Sequence, residues 1–308
     1  MGSEEHHDVV IIGGGPAGVS CALECFDTQL DTVVVESGPV LGGQLGEIPH
    51  SVRNVAAGTF ENGEALQRAL GKSSAILGER VRLSYSMTAA NLGERWIEVD
   101  GRRLSGGALV VATGTARQQL AAAVDGAFGG DITYQLESQP RRFVGRDVAV
   151  IGGGDSAALD ALALARDGSS VKLISRSGAL TARRDIVEQV RDESRVEELP
   201  GWELDSVSGT DRLEEIVLTR AATGERQGLP VRGLIVKISR VPNTRPFGGQ
   251  FEGDSAGAIV VDRELRTSRV GVFAAGDVVS GAYPRVATAL GQGVLAARSV
   301  LRYLEGRS

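Results

Sequence analysis

Short apolar runs alternate with helical stretches near the start of the chain. Residues 8–12 end in four consecutive apolar side chains and lead through a glycine-rich turn into a helical stretch that ends at about Phe26. A second run, residues 32–36, follows. Continuous apolar runs of this length are typical of strands covered on both faces. The order of strand, helix and strand predicts a βαβ unit and a parallel sheet.

The same order recurs in the middle of the chain. Residues 147–151 form an apolar run, a helical stretch continues through about Arg166, and residues 171–174 form the next strand. The sequence therefore predicts an α/β fold with two Rossmann-like dinucleotide-binding domains, each built in the three layers β-sheet, β-sheet and α-helix (ββα).

The junction between the first strand and the first helix carries the motif G-x-G-x-x-G at residues 13–18. In this motif Gly13 makes the tight turn, Gly15 lets the backbone approach a pyrophosphate, and Gly18 lets the helix pack closely on the strand. The helix N-terminus adds free N–H groups and a positive dipole for the anion. Glu36 ends the next strand, where a carboxylate accepts hydrogen bonds from an adenosine ribose. Together these features predict a dinucleotide site.

The second junction, residues 152–157, reads G-x-G-x-x-A, a variant that the fold accepts. Arg176 follows the next strand in the place of a carboxylate. Because an arginine pairs with a 2′-phosphate that an acid would repel, this site favours NADP over NAD. Arg183 and Arg184 are candidates for added charge, and the alternative is that these arginines lie on a solvated surface. Two dinucleotide sites in one chain suggest a flavin in one and a nicotinamide in the other.

Composition and charge narrow the class of partner. The chain has 308 residues, 42 of them glycine, and 33 Lys and Arg against 39 Asp and Glu give a formal net charge of −6. This mild acidity argues against nucleic acid and anionic membranes as partners. The apolar runs are too short to cross a bilayer, and the first residues are acidic where a secretory signal is basic. We expect a soluble cytoplasmic protein.

Six ordered blocks resemble the thioredoxin reductase-like branch of the pyridine nucleotide-disulfide oxidoreductases over essentially the whole chain. They are residues 13–18, 36–45, 112–114, 152–157, 241–244 and 271–277, and a helix from about Arg285 follows them. The resemblance implies a discontinuous FAD-binding domain, residues 1–115 and 245–308. An NADPH-binding domain, residues 116–244, would be inserted into it. It also implies a homodimer.

The resemblance further assigns residues to the two cofactors. Asp277 would contact the ribityl or pyrophosphate part of FAD, and the stretch that begins at Arg285 would offer backbone N–H groups to the flavin at N1 and C2=O. The implied FAD-binding residues are Gly13, Gly15, Pro16, Ala17, Gly18, Glu36, Ser37, Gly43, Gln44, Asn54, Thr113, Gly114, Gly276, Asp277, Arg285, Val286 and Ala287. The implied NADPH-binding residues are Gly152, Gly154, Asp155, Ser156, Ala157, Arg176 and Arg183.

The chain departs from this branch where the redox-active Cys-x-x-Cys pair would stand. Gln135 and Ser138 occupy the two positions, and neither side chain can carry electrons by thiol–disulfide exchange. The only cysteines, Cys21 and Cys25, lie four apart on the first helix, with Cβ atoms farther apart than in a disulfide. We expect them to be buried core thiols, and we expect no direct reduction of thioredoxin.

Two further departures concern the nicotinamide and the acceptor. Of the family's His-Arg-Arg-x-x-x-Arg run, residues 175–181 keep only the first arginine, which weakens the preference for NADP. Related ferredoxin-NADP reductases add a C-terminal segment with an aromatic residue over the flavin, and this chain ends directly after its last helix. Two histidines, His6 and His7, are expected in a terminal tail.

Three functions remain open from the sequence. The first is an NADPH-linked, FAD-dependent oxidoreductase that passes electrons to a small molecule or to a ferredoxin- or flavodoxin-like carrier. The second is an FAD-dependent oxidase or dehydrogenase that acts directly on a small molecule and has a vestigial nicotinamide domain. The third is a flavin-bearing sensor without turnover. Reduction of the flavin by NADPH supports the first function, oxygen consumption with a substrate and no nicotinamide nucleotide distinguishes the second, and tight FAD without turnover in the presence of any acceptor marks the third.

Overall fold

The computed structural model describes residues 4–56, 58–117, 128–136, 141–238 and 240–306. The chain divides into two compact units: unit 1 comprises Met1–Ala116 and Val241–Ser308, and unit 2 comprises Arg117–Arg240. In chain order the elements are β1 Glu4–Ile12, α1 Pro16–Asp27, β2 Thr32–Glu36, β3 Val52–Val55, β4 Gly58–Phe60, α2 Gly63–Ser73, β5 Val81–Leu83, β6 Met87–Asn91, β7 Trp96–Val99, β8 Arg102–Val111, β9 Thr115–Arg117, β10 Ile132–Thr133, β11 Asp147–Ile151, α3 Asp155–Arg166, β12 Ser170–Ser175, α4 Arg184–Asp192, β13 Val196–Pro200, β14 Trp202–Gly209, β15 Leu213–Arg220, β16 Arg226–Pro230, β17 Gly233–Val236, β18 Arg240–Pro242, β19 Val272–Ala274 and α5 Val286–Leu304.

Unit 1 is built on one large sheet in the order β5-β2-β1-β8-β7-β6, with β19 also paired to β8. The strands β5, β2, β1, β8 and β19 run parallel, and β7 and β6 continue the sheet antiparallel. Strand β1 lies at the centre because its side chains are apolar on both faces. Val9 and Ile11 pack against helices α1 and α5, and Val10 and Ile12 pack on the opposite face. The predicted strand with two covered faces is therefore present.

Strand β1 begins earlier than the sequence predicted. Its first residues pair with β8, and the Nδ1 atom of His6 lies 3.0 Å from Ser105 Oγ. The Nδ1 atom of His7 lies 3.0 Å from an Asp31 carboxylate oxygen. The expectation of a terminal tail at these histidines is wrong, since ladder hydrogen bonds extend a strand whose own side chains are polar.

Helices α1 and α5 pack closely because small residues meet at their crossing. A Cβ atom at Gly293 of α5 would overlap the Ala17 carbonyl oxygen and would lie 2.9 Å from the Cys21 amide nitrogen. Helix α1 begins at Pro16, whose fixed φ suits a first helical position and whose missing N–H costs nothing there. Helix α2 begins differently, with the Asn62 Oδ1 atom accepting a hydrogen bond from the Ala65 N–H at 2.9 Å.

Unit 2 repeats the plan of unit 1. Its parallel sheet has the order β10-β17-β11-β12-β13, and a separate antiparallel sheet has the order β14-β15-β16. Val148 and Val150 of β11 pack against α3, whereas Ala149 and Ile151 pack against the antiparallel sheet. The three layers are thus helix, parallel sheet and antiparallel sheet. Among the described helices of both units, none has the length and apolar composition needed to cross a membrane.

Candidate functional site

The candidate site of unit 1 lies where parallel strands end. The carboxyl ends of β1, β2, β8 and β19 meet at one edge of the sheet, and the chain leaves β1 toward β2 on one side while β8 lies on the other. In open α/β sheets such a switch point opens the crevice that binds ligands. The residues predicted at 13–18, 36, 113–114 and 276–277 all lie at or just after these strand ends.

The three glycines of the first motif have different surroundings. Gly13 has a positive φ of 109°, and a Cβ atom there would overlap the Ala112 carbonyl oxygen. A Cβ atom at Gly18 would overlap the Gly13 carbonyl oxygen. At Gly15, in contrast, a Cβ atom would meet nothing within 4 Å. Backbone atoms therefore leave no room for a side chain at Gly13 or Gly18. The space at Gly15, the position that approaches a pyrophosphate, is open.

Glu36 closes the turn from the adjacent strand. Its Oε2 atom accepts a hydrogen bond from the Gly14 N–H at 2.7 Å, and its Oε1 atom accepts one from the Gly38 N–H at 2.6 Å. The Ser37 hydroxyl donates to the same Oε1 at 3.3 Å. The carboxylate is held at the end of β2, next to the first motif, which is the location predicted for a ribose contact.

A loop and a strand end meet in front of this turn. Gly43, with φ +51°, would place a Cβ atom 3.5 Å from the Gly15 Cα. The next residue, Gln44, donates from Nε2 to the Thr115 carbonyl oxygen at 2.7 Å. Gly114, with φ +62°, lies beside the same amide: a Cβ atom there would be 3.5 Å from Gln44 Nε2. The predicted residues at 43, 44 and 114 are thus neighbours in space.

Asn243 joins this group although it was not among the predicted binding residues. The Thr113 hydroxyl donates to the Asn243 carbonyl oxygen at 3.0 Å, and Asn243 Nδ2 donates to the Thr113 carbonyl oxygen at 2.8 Å. The Asn243 N–H donates to the Gly114 carbonyl oxygen at 3.0 Å. The signal was present in the sequence, since residues 241–244 are one of the blocks that carried the resemblance.

The end of β19 approaches the start of α1. A Cβ atom at Gly276 would lie 3.0 Å from the Ala17 Cβ, and the Gly276 N–H donates to Gln292 Oε1 at 2.7 Å. Asp277 follows directly and is half-buried. Helix α5 thus fixes the backbone at this strand end through Gln292, a contact that the sequence did not reveal.

The first turn of α5 places three further predicted residues. Arg285 precedes the helix, and its guanidinium stacks on Tyr283 at 4.5 Å and donates to the Tyr283 hydroxyl at 3.0 Å. Val286 packs against the cluster around Leu45, and Ala287 follows it in the first turn. Asn54 is exposed on β3, outside the strand ends that gather the other residues.

A cavity of about 390 Å³ in unit 1 lies beside the loop that follows Glu36. Val40 and Leu41 of this loop, Val81 and Leu83 of β5, and the helix α2 line it. Leu41 also borders the first motif, because a Cβ atom at Gly14 would overlap its side chain. The space next to the turn therefore has mainly aliphatic walls.

The second motif forms the corresponding turn in unit 2. Gly152 has a φ of +143°, and a Cβ atom there would overlap the Lys237 carbonyl oxygen. A Cβ atom at Gly154 would meet nothing within 4 Å. Asp155, Ser156 and Ala157 form the first turn of α3. As in unit 1, the first glycine is enclosed and the second faces open space.

Known proteins with similar sequences identify the family of this chain. The model of the family described as pyridine nucleotide-disulphide oxidoreductase matches residues 7–293. The chain belongs to this family. Thioredoxin reductase of Streptomyces coelicolor is 30% identical over 309 residues, with 94% of this chain and 91% of that protein covered. A 34.2 kDa protein in the rubredoxin operon of Clostridium pasteurianum is 27% identical over 310 residues, with both chains fully covered.

A solved structure supports the same assignment. Thioredoxin reductase of Lactococcus lactis, in the FR conformation, has a TM-score of 0.84 and 26% identity, with 97% of this chain and 99% of that chain covered. The predicted α/β fold and the predicted likeness to thioredoxin reductase-like flavoproteins are confirmed. Family membership implies FAD and a nicotinamide nucleotide.

Both turns of this oxidoreductase fit such cofactors. Gly15 and Gly154 leave open space where a pyrophosphate would lie, and helices α1 and α3 begin beside that space. The enclosed glycines Gly13 and Gly152 have positive φ, which keeps the backbone of each turn close to the neighbouring strand. Gly15, Gly18 and Glu36 would hold FAD, and Gly154 with the first turn of α3 would hold the nicotinamide nucleotide.

The two arginines predicted to contact a 2′-phosphate occupy different environments. Arg176 directly follows β12, its side chain is 75% exposed, and its Nε lies 4.0 Å from a Glu203 carboxylate oxygen. Arg183 is bound to the second motif itself: its Nε lies 3.1 Å from Asp155 Oδ2, and its N–H donates to Asp155 Oδ1 at 2.7 Å. Arg176 is the arginine that can turn toward a ligand at low cost, because its ion pair with Glu203 is long and solvated.

A buried ion pair lies beneath the second motif. The Lys237 Nζ atom is 2.9 Å from Asp160 Oδ2, and the two side chains are only 4% and 9% exposed. Lys237 directly follows β17 and Asp160 lies on α3, so the pair links the strand next to the motif with the helix that starts from it. This pair was not predicted from the sequence.

The position of the missing dithiol has no sulfur where the structure describes it. Gln135 follows β10, and its N–H donates to the Thr133 hydroxyl at 3.1 Å. Ser138, the other position of the pair, lies outside the described residues. The expectation for the two cysteines is confirmed: Cys21 and Cys25 are both free thiols buried on α1.

The buried thiols are expected to be inert in the folded protein. The hydrogen bond between the two thiols raises the pKa of Cys21 well above its usual value and lowers the pKa of Cys25. Burial of both side chains on α1 therefore protects them, because a reagent cannot reach either sulfur in the folded protein. We expect an aromatic disulfide reagent to modify no cysteine in the native protein and both cysteines in denaturant. The Cys21→Ala and Cys25→Ala double variant should keep the native rate of flavin reduction. Fast modification of native protein would contradict this account.

Proposed function

We propose that this chain is an NADPH-linked, FAD-dependent oxidoreductase that delivers electrons to an acceptor other than a dithiol of its own. The observation that carries the proposal is the combination of two open glycine turns with the absence of sulfur at position 135. Both cysteines of the sequence lie buried in the core of unit 1. Bound FAD would supply the chemistry, acceptance of a hydride equivalent and its release as electrons.

In unit 1 the residues of the chain bind and orient. The turn at Gly15 and the N-terminus of α1 would stabilise the negative charge of the pyrophosphate. The fixed Glu36 carboxylate would accept hydrogen bonds from the ribose hydroxyl groups. The N-terminus of α5, after Arg285, would place positive dipole near a developing negative charge. Helix α5 carries no acidic residue in its first turn to oppose this effect.

In unit 2 the residues of the chain select the nucleotide. Gly154 and α3 would hold the pyrophosphate, and Arg176 would pair with a 2′-phosphate. Arg183 contributes indirectly, because its ion pair with Asp155 offsets a carboxylate that would otherwise stand unopposed at the start of α3.

The proposal is tested by mixing the FAD-loaded protein with NADPH or NADH in the absence of oxygen and following the visible absorbance of the flavin. We expect rapid bleaching by NADPH and slower bleaching by NADH. Absence of bleaching by both nucleotides would contradict the proposal. An acceptor screen with the reduced protein, covering ferredoxins, flavodoxins, quinones, disulfides and oxygen, then identifies the electron outlet.

The Arg176→Gln variant tests the selection of NADP. Loss of one charge-assisted contact at an exposed site should weaken NADPH binding about tenfold and leave NADH binding unchanged. Arg191→Gln, which removes the same charge from α4 next to Glu198, is the matched control and should change neither value. An equal effect of both variants would show a general effect of charge and would contradict a specific role of Arg176.

A second candidate function is direct oxidation of a small molecule with a vestigial nicotinamide site. It is favoured by one observation: Arg183, one of the two arginines predicted to contact a 2′-phosphate, is held by Asp155, which leaves Arg176 alone to make that contact. This candidate predicts oxygen consumption with an organic substrate in the absence of any nicotinamide nucleotide. No such consumption, together with flavin reduction by NADPH, would remove it.

A further inference from the structure

A second cluster of charge in unit 2 lies away from the glycine turn. Arg146, Arg212 and Arg232 line a cavity of about 310 Å³ together with the buried Asp131. Three of these residues directly precede parallel strands: Asp131 precedes β10, Arg146 precedes β11 and Arg232 precedes β17. The cavity is therefore at the amino edge of the parallel sheet.

This edge is opposite to the candidate nicotinamide site. Arg146 directly precedes strand β11 and Gly152 directly follows it, so the two residues lie at opposite ends of the strand. Its five residues span about 16 Å at the usual rise of a strand. The pyrophosphate of a nucleotide bound at the second motif would therefore lie too far away to contact this cavity. The two sites are separate.

Asp131 is the buried, charged carboxylate of this cavity. Its carboxylate accepts from Arg212 Nε at 2.7 Å, from Arg212 Nη2 at 2.8 Å and from the Leu213 N–H at 3.2 Å. Arg146 Nη1 lies 3.4 Å away. Burial opposes ionisation, but these donors outweigh it and lower the pKa of Asp131 below its usual value. The carboxylate is therefore negative at neutral pH.

The arginines of the cavity carry more charge than this one carboxylate balances. Three guanidinium groups against one carboxylate leave two positive charges in the lining. Arg212 is satisfied by its two-point contact with Asp131. Arg232 donates only a long hydrogen bond, 3.5 Å, to the Leu213 carbonyl oxygen. Among the described residues no carboxylate pairs with Arg232 within 4 Å.

Neighbouring residues do not cancel this excess. Arg142 adds a further guanidinium, 3.8 Å from Asp131. Three acids flank the cavity residues in sequence, Asp147 after Arg146, Asp211 before Arg212 and Glu214 after Leu213, and all three are exposed. The Glu214 carboxylate accepts from the Thr210 hydroxyl at 3.4 Å, and none of the three acids forms an ion pair with a cavity arginine within the described residues.

We propose that this cavity binds a small dianion that carries a phosphate group. Two unbalanced positive charges match a phosphate dianion, and guanidinium groups offer it paired N–H donors. Arginines grouped around a concave surface also focus the electrostatic potential on a ligand of this charge. The volume of about 310 Å³ lies at the small end of ligand sites, which suits inorganic phosphate or a small phosphate ester.

Isothermal titration of the FAD-loaded protein with inorganic phosphate, at constant ionic strength and with NADP⁺ present at saturation, tests the proposal. The nucleotide occupies the 2′-phosphate site, so saturable one-to-one binding of phosphate under these conditions reports a separate location. A parallel titration with glycerol phosphate distinguishes the source: tighter binding indicates a phosphate ester, and equal or weaker binding indicates free phosphate. Malonate, a dianion without phosphate, should bind at least tenfold more weakly.

Variants assign the binding to the cavity. Arg146→Gln and Arg232→Gln should each weaken phosphate binding about tenfold, since each removes one charge-assisted contact. Arg191→Gln is the matched control, because it removes the same charge far from the cavity. Arg191 pairs with Glu198 of β13, a strand that lies three strand spacings, or about 14 Å, across the sheet from β17. Arg232→Lys, which keeps the charge and loses the paired donors, should give an intermediate affinity.

Three results would overturn the proposal: no saturable binding of phosphate, unchanged binding in both glutamine variants, or malonate binding as tight as phosphate binding. Arg212 is left intact in every variant so that Asp131 keeps its partner, and the flavin spectrum and circular dichroism of each variant establish that it is folded. The outcome is independent of the proposed electron transfer, which is measured separately by flavin reduction.

Discussion

Gly15→Ala is expected to give a folded protein that retains little FAD. The backbone at this residue, φ −72° and ψ −178°, accepts an alanine, and the added methyl group meets nothing within 4 Å. The apoprotein should therefore be as stable as wild type, or more stable by up to about 1 kcal/mol. The same methyl group would occupy the space that a pyrophosphate needs. We expect the affinity for FAD to fall about 10- to 100-fold.

The measurement is titration of apoprotein with FAD by fluorescence, combined with thermal unfolding. Gly291→Ala is the matched control: it adds a methyl group to the same unit, at an exposed position of helix α5, and also meets nothing within 4 Å. Its FAD affinity should equal that of wild type. If Gly15→Ala binds FAD normally, the turn at residues 13–18 does not contact the pyrophosphate and the assignment of unit 1 is wrong.

Gly154→Ala extends this experiment to unit 2. Its methyl group also enters open space, so the variant should fold and keep its yellow cofactor. Flavin reduction by NADPH should require about 10- to 100-fold more nucleotide. The pair of variants thus separates the two sites, one losing FAD and the other losing only NADPH. A loss of FAD in Gly154→Ala would contradict the division of roles.

Lys237→Met is expected to cause the largest loss of stability. The variant leaves the Asp160 carboxylate buried without the cation that now lies 2.9 Å away. Removal of one partner from a buried ion pair costs about 3–5 kcal/mol. The change should appear as a lower urea midpoint of the transition that reports on unit 2, followed by the fluorescence of Trp202.

Two further variants show whether the loss of stability comes from the buried charge: a double variant of the buried pair and a single variant of an exposed ion pair. Lys237→Met combined with Asp160→Leu should regain most of the stability, because apolar residues of similar size replace both charges. Arg184→Met removes one partner of the exposed pair with Glu188, whose side chains are 92% and 64% exposed, and should cost at most about 1 kcal/mol. Equal losses in Lys237→Met and in the double variant would contradict the argument.

The periodic parts of the fold were predictable from the sequence. Strand β2, strand β11 and helix α3 have the expected ends, because continuous apolar runs and glycine turns mark them locally. The start of β1 at Glu4 was not predictable, since its polar residues become a strand only by pairing with β8, about a hundred residues away. The predicted ββα layers include a second sheet, but the strands of β14-β15-β16 were not located in the sequence, because they carry many exposed polar side chains.

The candidate sites were likewise predictable only where a local sequence pattern marks them. The glycine motifs and Glu36 could be read as a local pattern, since spacing along the chain fixes their geometry. The buried pair had a weak signal: Lys237 interrupts an apolar run, and Asp160 lies among apolar helix positions. The arginine cavity had none, because Arg146, Arg212 and Arg232 come together only when strands far apart in sequence align their amino ends.

We propose that electrons leave the flavin without passing through a dithiol of the same chain. An anaerobic reductive titration of the FAD-loaded protein with dithionite, followed by the flavin absorbance and by the number of free thiols, measures this route. We expect complete reduction after two electrons per FAD, with no new thiol exposed. Uptake of four electrons per FAD would reveal a disulfide in the electron path, and the proposed route would then be wrong.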